Sequence, residues 1–253
     1  MDPEQLARHI DHALLHPALS DQEFAEGCSL GRELGVAAVC VKSVDVPRAV
    51  ERLAGSEVAV AAVAGFPHGN MPVEILCREV EWALDHGAEE IDAVIDLSRA
   101  VSGDWRAVKE RIEAVNRTVT RANGRCKIIL EMGLYANNAI KRRLCRLCRE
   151  LEVAYVKTST GFATTRDSDG SLCTLGATEQ DVALMVQEVA PVCGVKASGG
   201  IRSLAQAERL LGLGATRIGT TATRSIVEEA RERKVDASAT QTRPRANGSI
   251  ESS

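Results

Sequence analysis

The sequence predicts an α/β fold, a (β/α)8 TIM barrel, on three observations. Eight short β-branched runs recur along the chain, stretches able to hold amphipathic helices separate them, and both halves share one mixed apolar and charged texture. The regular alternation fits a closed barrel of parallel strands better than an open doubly wound sheet, which is the alternative the pattern leaves. At 253 residues the chain has the length of one such barrel.

In order, the runs are Ile10 to Leu14, Val36 to Lys42, Val58 to Gly65, Glu90 to Asp96, Lys127 to Glu131, Ala154 to Ser159, Val195 to Ser198 and Arg217 to Thr220. Between them, Val73 to Leu84 and Thr178 to Val189 read as helices. The barrel domain is expected over residues 1–233. From Lys234 the chain turns small and polar (KVDASATQTRPRANGSIESS), with too little apolar content to offset the entropy of ordering, so 234–253 is expected to be a disordered tail. After the sixth run, Ala163 to Gly176 (ATTRDSDGSLCTLG) is a long polar connection. Loops of that length in compact domains tend to be functional, and a lid is the expectation.

Composition narrows the partners. A formal net charge of -4 gives no general attraction to nucleic acid or anionic membrane, and 3% aromatic content leaves few platforms for stacked bases. The opening MDPEQLARHIDHALL lacks the basic-then-apolar pattern of a secretory signal, and no run of membrane-spanning length appears, so a cytoplasmic protein with a small-molecule partner is expected. The eight cysteines are too sparse for a disulfide framework and are expected to be free thiols.

In a barrel of this kind the reacting groups project from the C-terminal ends of the strands. Polar residues in or ending the runs are Asp11 and His12, Cys40 and Lys42, Asp92 and Asp96, Glu131, Lys157 with Thr158 and Ser159, Lys196 with Ser198, and Thr220 with Thr221. Lysine is scarce, seven residues against 24 arginines, yet Lys157 and Lys196 lie inside apolar runs on what should be neighbouring strands. Arginine cannot replace lysine where a neutral amine must attack a carbonyl, because guanidinium stays charged. A free lysine, with a pKa of about 10.4, is only about one part in a thousand neutral near pH ~7.4, so such an amine needs burial or a second ammonium beside it. The plainer reading is a lysine that reaches the rim or pairs with a carboxylate. Asp92 and Asp96, four apart in EIDAVID, are expected on one strand face as proton shuttles or as ion-pair partners of the lysines.

Gly199 and Gly200 in ASGGIRS and Gly219 in RIGTT follow or end the last two runs, where barrels often hold phosphate on backbone amides and a helix N-terminus. Cys145 and Cys148 have CxxC spacing but sit in the helical stretch KRRLCRLCREL with no second pair, so no zinc site is expected. His9, His12 and His16 would not share one strand face, which argues against a shared metal.

These segments carry a resemblance. IDHALLHP, AAVCVK, AGFPHG, GAEEIDAVID, KIILE, YVKTSTGF, VKASGGIR and GATRIGT, spread from Ile10 to Glu228, resemble the deoxyribose-phosphate aldolase family in the same order. The resemblance implies a class I aldolase that needs no cofactor or metal, in which Lys157 forms a Schiff base and Asp92 and Lys196 move protons and tune the amine. It further implies that Asp11, Cys40, Thr160, Gly161, Gly199, Gly200, Gly219 and Thr221 border the substrate and its phosphate, and that the protein forms a homodimer. Departures are Ala13, where threonine is common, His16 for lysine, Lys42 and Asp96 for asparagine, and Ala222 for serine. The connection from Ala163 to Gly176 is longer than the family's usual short glycine-rich link. The C-terminal tyrosine of some members has no counterpart, the only tyrosines being Tyr135 and Tyr155.

The expected reaction is therefore reversible cleavage of 2-deoxyribose 5-phosphate to glyceraldehyde 3-phosphate and acetaldehyde. Its rivals are the same chemistry on an unphosphorylated acceptor, a barrel that binds a sugar phosphate without catalysis, and a metal-dependent aldolase.

Overall fold

The computed structural model describes residues 1–167 and 169–241. After helix α1 (Pro3–Ala7) come β1 (Ile10–Leu14), α2 (Asp21–Leu34), β2 (Ala38–Lys42), α3 (Val46–Leu53), β3 (Ala59–Ala64), α4 (Val73–Asp85) and β4 (Glu90–Val94). The chain continues through α5 (Leu97–Ser102), α6 (Trp105–Arg121), β5 (Arg125–Ile129), α7 (Asn138–Glu150) and β6 (Tyr155–Lys157). A short pair, β7 (Thr164–Arg166) and β8 (Leu172–Thr174), precedes α8 (Glu179–Val189), β9 (Gly194–Ser198), α9 (Leu204–Gly212), β10 (Arg217–Thr220) and α10 (Thr223–Gln241).

Strands β1, β2, β3, β4, β5, β6, β9 and β10 close into one barrel, each parallel to its neighbours. The eight strands are the eight runs of the sequence. Each helix shields the outward side chains of the strands, as period-2 alternation requires. Ile91, Ile128, Val156, Val195 and Ile218 face out and share one core cluster with Leu76, Ile112 and Met185 of the helices. Inside the barrel the lining is divided: Ala38, Cys40, Ala59, Ala61 and Val63 form a small apolar cluster on β2 and β3, while the other strands contribute charged groups.

Helix ends are specified locally. Ser20 and Glu23 make a reciprocal capping box on α2, which stops at Gly35 in the left-handed conformation, and Thr178 caps α8 through Asp181 N. Helix α10 runs on through Lys234 to Gln241, past the boundary that the polarity of the tail suggested, and the rest of that expected tail, 242–253, lies outside the described residues. The long connection forms an antiparallel hairpin of β7 with β8. Its roots are glycines in close backbone contact: a Cβ on Gly199 would lie 2.9 Å from Gly176 Cα and 3.5 Å from Gly161 Cα, and Ala177 N donates to Gly199 O at 3.1 Å.

On β1, Asp11 faces the barrel interior and His12 faces out, where its Nδ1 lies 2.8 Å from Thr223 Oγ1 at the start of α10. Burial pushes the His12 ring down to about 4, from an ordinary 6.5. The unfolded chain therefore binds this proton below 6.5 while the folded one resists it until about 4. Unfolding free energy should fall between these pH values, by on the order of 3 kcal/mol from this group. Urea denaturation of wild type and His12→Gln checks it: the substitution should flatten that part of the profile, and an unchanged slope would assign the loss elsewhere.

Candidate active site

Register sets the geometry. Asp92 is paired with Lys127 across β4 and β5, Lys157 with Lys196 across β6 and β9, and Lys196 with Arg217 across β9 and β10. Side chains at paired positions point the same way, so acidic and basic residues of β4, β5, β6, β9 and β10 meet inside the barrel, joined there by Asp11 of β1.

The Asp92 carboxylate is at the centre. Its Oδ1 accepts from Lys127 Nζ at 2.7 Å, and its Oδ2 accepts from Lys157 Nζ at 2.8 Å and from Lys196 Nζ at 2.7 Å. Cys40 Sγ lies 3.9 Å from the same Oδ2. Asp11 bonds Lys196 through Oδ2 and Arg217 through Oδ1 at 2.5 Å. Below them, Glu90 meets Lys127 at 2.5 Å, Arg217 Nη1 at 3.2 Å and Arg125 Nε at 2.8 Å. Asp11, Glu90, Asp92 and Lys127 are wholly buried.

Charges taken out of water persist only when paired and hydrogen-bonded. Burial opposes ionisation of Asp92, yet the three ammonium groups around it hold its carboxyl well below the usual carboxylate range. Burial likewise opposes ionisation of Asp11, which Lys127, Lys196 and Arg217 hold low. The lysines respond in kind: against burial, Asp11 and Asp92 raise Lys196, and Asp11, Asp92 and Glu90 raise Lys127. Both stay ammonium groups. Burial pushes the Cys40 thiol up, so it stays protonated.

Above this cluster opens a cavity of about 350 Å³. Asp11, Cys40, Lys157 and Lys196 line its inner end; Gly199, Gly200, Arg202, Gly219 and Thr221 also line it, with Thr160, Gly161 and Phe162 on its wall. Gly199 and Gly200 have φ of +90° and +76°, values that favour glycine. A Cβ on Gly219 would come within 2.8 Å of Ser198 Cβ and 3.1 Å of Lys196 Cε, so glycine leaves room for the lysine. The ends of β6 and β9 are stitched together: Thr158 Oγ1 donates to Ser198 O, Ser198 N donates back to Thr158 Oγ1, and Ser198 Oγ donates to Ser159 O.

The structure thus gathers Asp11, Cys40, Lys157, Thr160, Gly161, Lys196, Gly199, Gly200, Gly219 and Thr221 around one cavity, with Asp92 directly beneath it. Asp96 is not with them. Strand β4 ends at Val94, and Asp96 instead caps α5 by accepting from Arg99 N, so strand alternation does not extend to it. Lys42 pairs with Asp45 at 3.3 Å at the rim. No described residue from Ala163 to Gly176 lines the cavity. His9 bonds Thr216 O, His12 meets Thr223 and His16 lines the cavity mouth, so the three histidines do not converge. Cys145 and Cys148 are buried in the helix core, and all eight cysteines are free thiols. Sequence reasoning missed Glu90, Lys127 and Arg217, although each follows the inward parity of its strand.

Parallel barrel strands ending in a lysine and carboxylate centre below a glycine-walled cavity define an enzyme of the (β/α)8 class with its chemistry at the C-terminal mouth. Residues 6–239 match the DeoC/LacD family aldolase model, and the chain belongs to that family of lyases. The deoxyribose-phosphate aldolase of Bacteroides thetaiotaomicron is 41% identical over 231 residues, covering 91% of this chain and 92% of the relative. That of Rhodopirellula baltica is 37% identical over 227 residues, 90% of each chain. Among solved structures, the aldolase QR15 is 34% identical with a TM-score of 0.82, covering 91% of this chain and 98% of that one. No helix among the described residues is long and apolar enough to cross a membrane.

Lys127 touches no part of the cavity yet joins Asp11, Glu90 and Asp92. Lys127→Met should leave these carboxylates short of a cation and cost about 3–5 kcal/mol of folding stability. Urea denaturation measures this; a loss below about 1 kcal/mol would mean the remaining cations satisfy all three acids.

Proposed function

We propose that this aldolase cleaves 2-deoxyribose 5-phosphate, reversibly, to glyceraldehyde 3-phosphate and acetaldehyde through a Schiff base on Lys157. The observation that carries the choice of lysine is the number of carboxylates each one serves. Lys127 contacts three and does not reach the cavity, and Lys196 contacts two; Lys157 lines the cavity and bonds Asp92 alone. Lys157 is therefore the amine whose release leaves the fewest unmet charges. With Lys157 as a free amine, Lys127, Lys196 and Arg217 still face Asp11, Glu90 and Asp92, three cations against three carboxylates.

The amine attacks the aldehyde carbon of the open-chain sugar, and loss of water gives an iminium that withdraws electrons from the neighbouring carbon–carbon bond. As that bond breaks, the proton of the 3-hydroxyl passes to the relay of Asp92 and Lys196, and glyceraldehyde 3-phosphate leaves. The enamine left on Lys157 is protonated on carbon, and water hydrolyses the resulting iminium to release acetaldehyde. Lys196, held as an ammonium beside Asp92, is the acid; Asp92 carries protons between the two lysines. Asp11 keeps Lys196 aimed into the cavity, and Cys40 walls the side near Asp92. Backbone groups at Gly199, Gly200 and Gly219, with Thr221 and the start of α10, offer the phosphate hydrogen-bond donors and a helix N-terminus. Thr160 and Gly161 border the carbon chain. The names of the similar proteins support the substrate.

Borohydride reduction in the presence of acetaldehyde or 2-deoxyribose 5-phosphate, followed by peptide mapping, should place a stable adduct on Lys157. Lys157→Arg keeps the charge but loses the nucleophile and should reduce cleavage to background. An adduct on Lys196 instead, or appreciable turnover by the arginine variant, would overturn the assignment. Comparing phosphorylated with free deoxyribose tests the phosphate: equal kcat/KM for the two would point to an unphosphorylated acceptor.

A further inference from the structure

Glu131 is a buried acid that the reaction above does not use. It follows β5 with φ 54° and ψ 55°, a left-handed backbone that a residue with a Cβ adopts only where its surroundings hold it. The residues on either side explain what holds it. Leu130 N donates to Lys157 O at 3.0 Å and Met132 N donates to Thr158 O at 2.8 Å, so the chain follows the end of β6 while Glu131 is turned out of register between them.

The turned side chain goes to one place. Its carboxylate accepts from Thr160 N, at 3.2 Å on Oε1 and 3.1 Å on Oε2, and from Thr160 Oγ1 at 2.5 Å on Oε2. It makes no ion pair among the described residues, although it is wholly buried. Burial raises its carboxyl against the hydrogen bonds from Thr160 and the nearby charge of Lys157. Strained backbone, full burial and three contacts to a single residue would be a costly way to brace a loop that other bonds already brace.

What the contacts do is set the direction of one hydroxyl. A threonine hydroxyl has one proton and two lone pairs. The Thr160 proton is given to Glu131, and one lone pair accepts from Phe162 N at 3.1 Å. One lone pair is left, and Thr160 lines the cavity that Lys157 lines.

We propose that Glu131 is a positioning residue that orients the Thr160 hydroxyl as an acceptor for a hydroxyl of the sugar chain bound on Lys157. This rests on the lysine reading above. Acetaldehyde carries no hydroxyl, so its capture by Lys157 does not call on Thr160, whereas cleavage of the sugar phosphate does. Glu131→Gln keeps an oxygen for Thr160 N but presents an N–H to the neighbouring atoms, so the Thr160 hydroxyl loses its fixed direction.

The experiment compares two readouts on intact protein: borohydride trapping of acetaldehyde on Lys157, and kcat/KM for 2-deoxyribose 5-phosphate. Glu131→Gln should trap acetaldehyde within twofold of wild type while kcat/KM falls fivefold or more. Thr160→Val should lower kcat/KM for the sugar phosphate to a similar extent, and the double variant should fall no further than the weaker single by more than twofold, because both changes remove one interaction. A fall smaller than fivefold, a parallel fall of trapping and turnover, or a double variant at the product of the singles overturns the proposal. Should Glu131→Gln fail to fold, Thr160→Ser against Thr160→Val decides: serine retaining turnover that valine loses supports the role, and equal turnover overturns it. Wild type that neither traps acetaldehyde nor cleaves the sugar phosphate overturns the lysine reading itself and this role with it. Active wild type with an unaffected Glu131→Gln overturns the role alone.

Discussion

The division of labour between the two oxygens of Asp92 is the constraint on which the rest of the site depends. Oδ1 is committed downward to Lys127, and Oδ2 is shared between Lys157 and Lys196 at the cavity floor. Lys127 holds the carboxylate from below while its other oxygen faces two ammonium groups. Lys127 in turn is held by Glu90 and Asp11, and Glu90 by Arg217 and Arg125. The chain of contacts runs from the half-exposed Arg125 up to the amine at the cavity. A shift in any buried member moves the next, because Asp11, Glu90, Asp92 and Lys127 have no water to turn to.

The barrel accommodates this cluster by dividing its interior. Small apolar side chains on β2 and β3 fill one side, and Asp11, Asp92, Lys127, Lys196 and Arg217 fill the other. Packing alone would favour an apolar filling throughout, since replacing a buried ion cluster with hydrophobic residues is often neutral or stabilising. Retaining seven charged side chains from β1, β4, β5, β6, β9 and β10 in the interior is therefore understandable as the cost of chemistry rather than of folding. The same division gives the cavity its two characters, with Lys157 and Lys196 at the inner end and glycine backbone toward the mouth.

Much of this was legible in the sequence. Eight β-branched runs correspond to eight barrel strands, because parallel strands buried on both faces read as apolar runs even where a charge interrupts them. The cavity residues stood out because they lie at strand ends, where barrel chemistry is found. That same attention to C-terminal ends hid Glu90, Lys127 and Arg217. Each is the first residue of its run and forms the floor beneath the site rather than its surface. Period-2 alternation from Asp92 would have found Glu90. The register that puts Lys127 beside Asp92 involves strands closed by helices of differing length, and no local pattern encodes it. Asp96 fails for the opposite reason: alternation was carried past Val94, where the strand had already given way to a helix cap.

The distribution of the two basic residue types follows from what each can and cannot do. Arg217 and Arg125 occupy the floor, where a permanent charge with several donors can satisfy Glu90 and Asp11 together. The positions bonded to Asp92 are all lysines. A guanidinium stays charged in any of these positions, whereas an amine can exist neutral, which the proposed Schiff base asks of Lys157 alone. Arg217 and Arg125 thus supply permanent charge, and against burial the neighbouring carboxylates hold Lys127 and Lys196 as ammonium groups as well. A chain with 24 arginines and seven lysines has placed three of those lysines around one buried carboxylate. Of the three, geometry leaves Lys157 facing the cavity with a single carboxylate to leave behind.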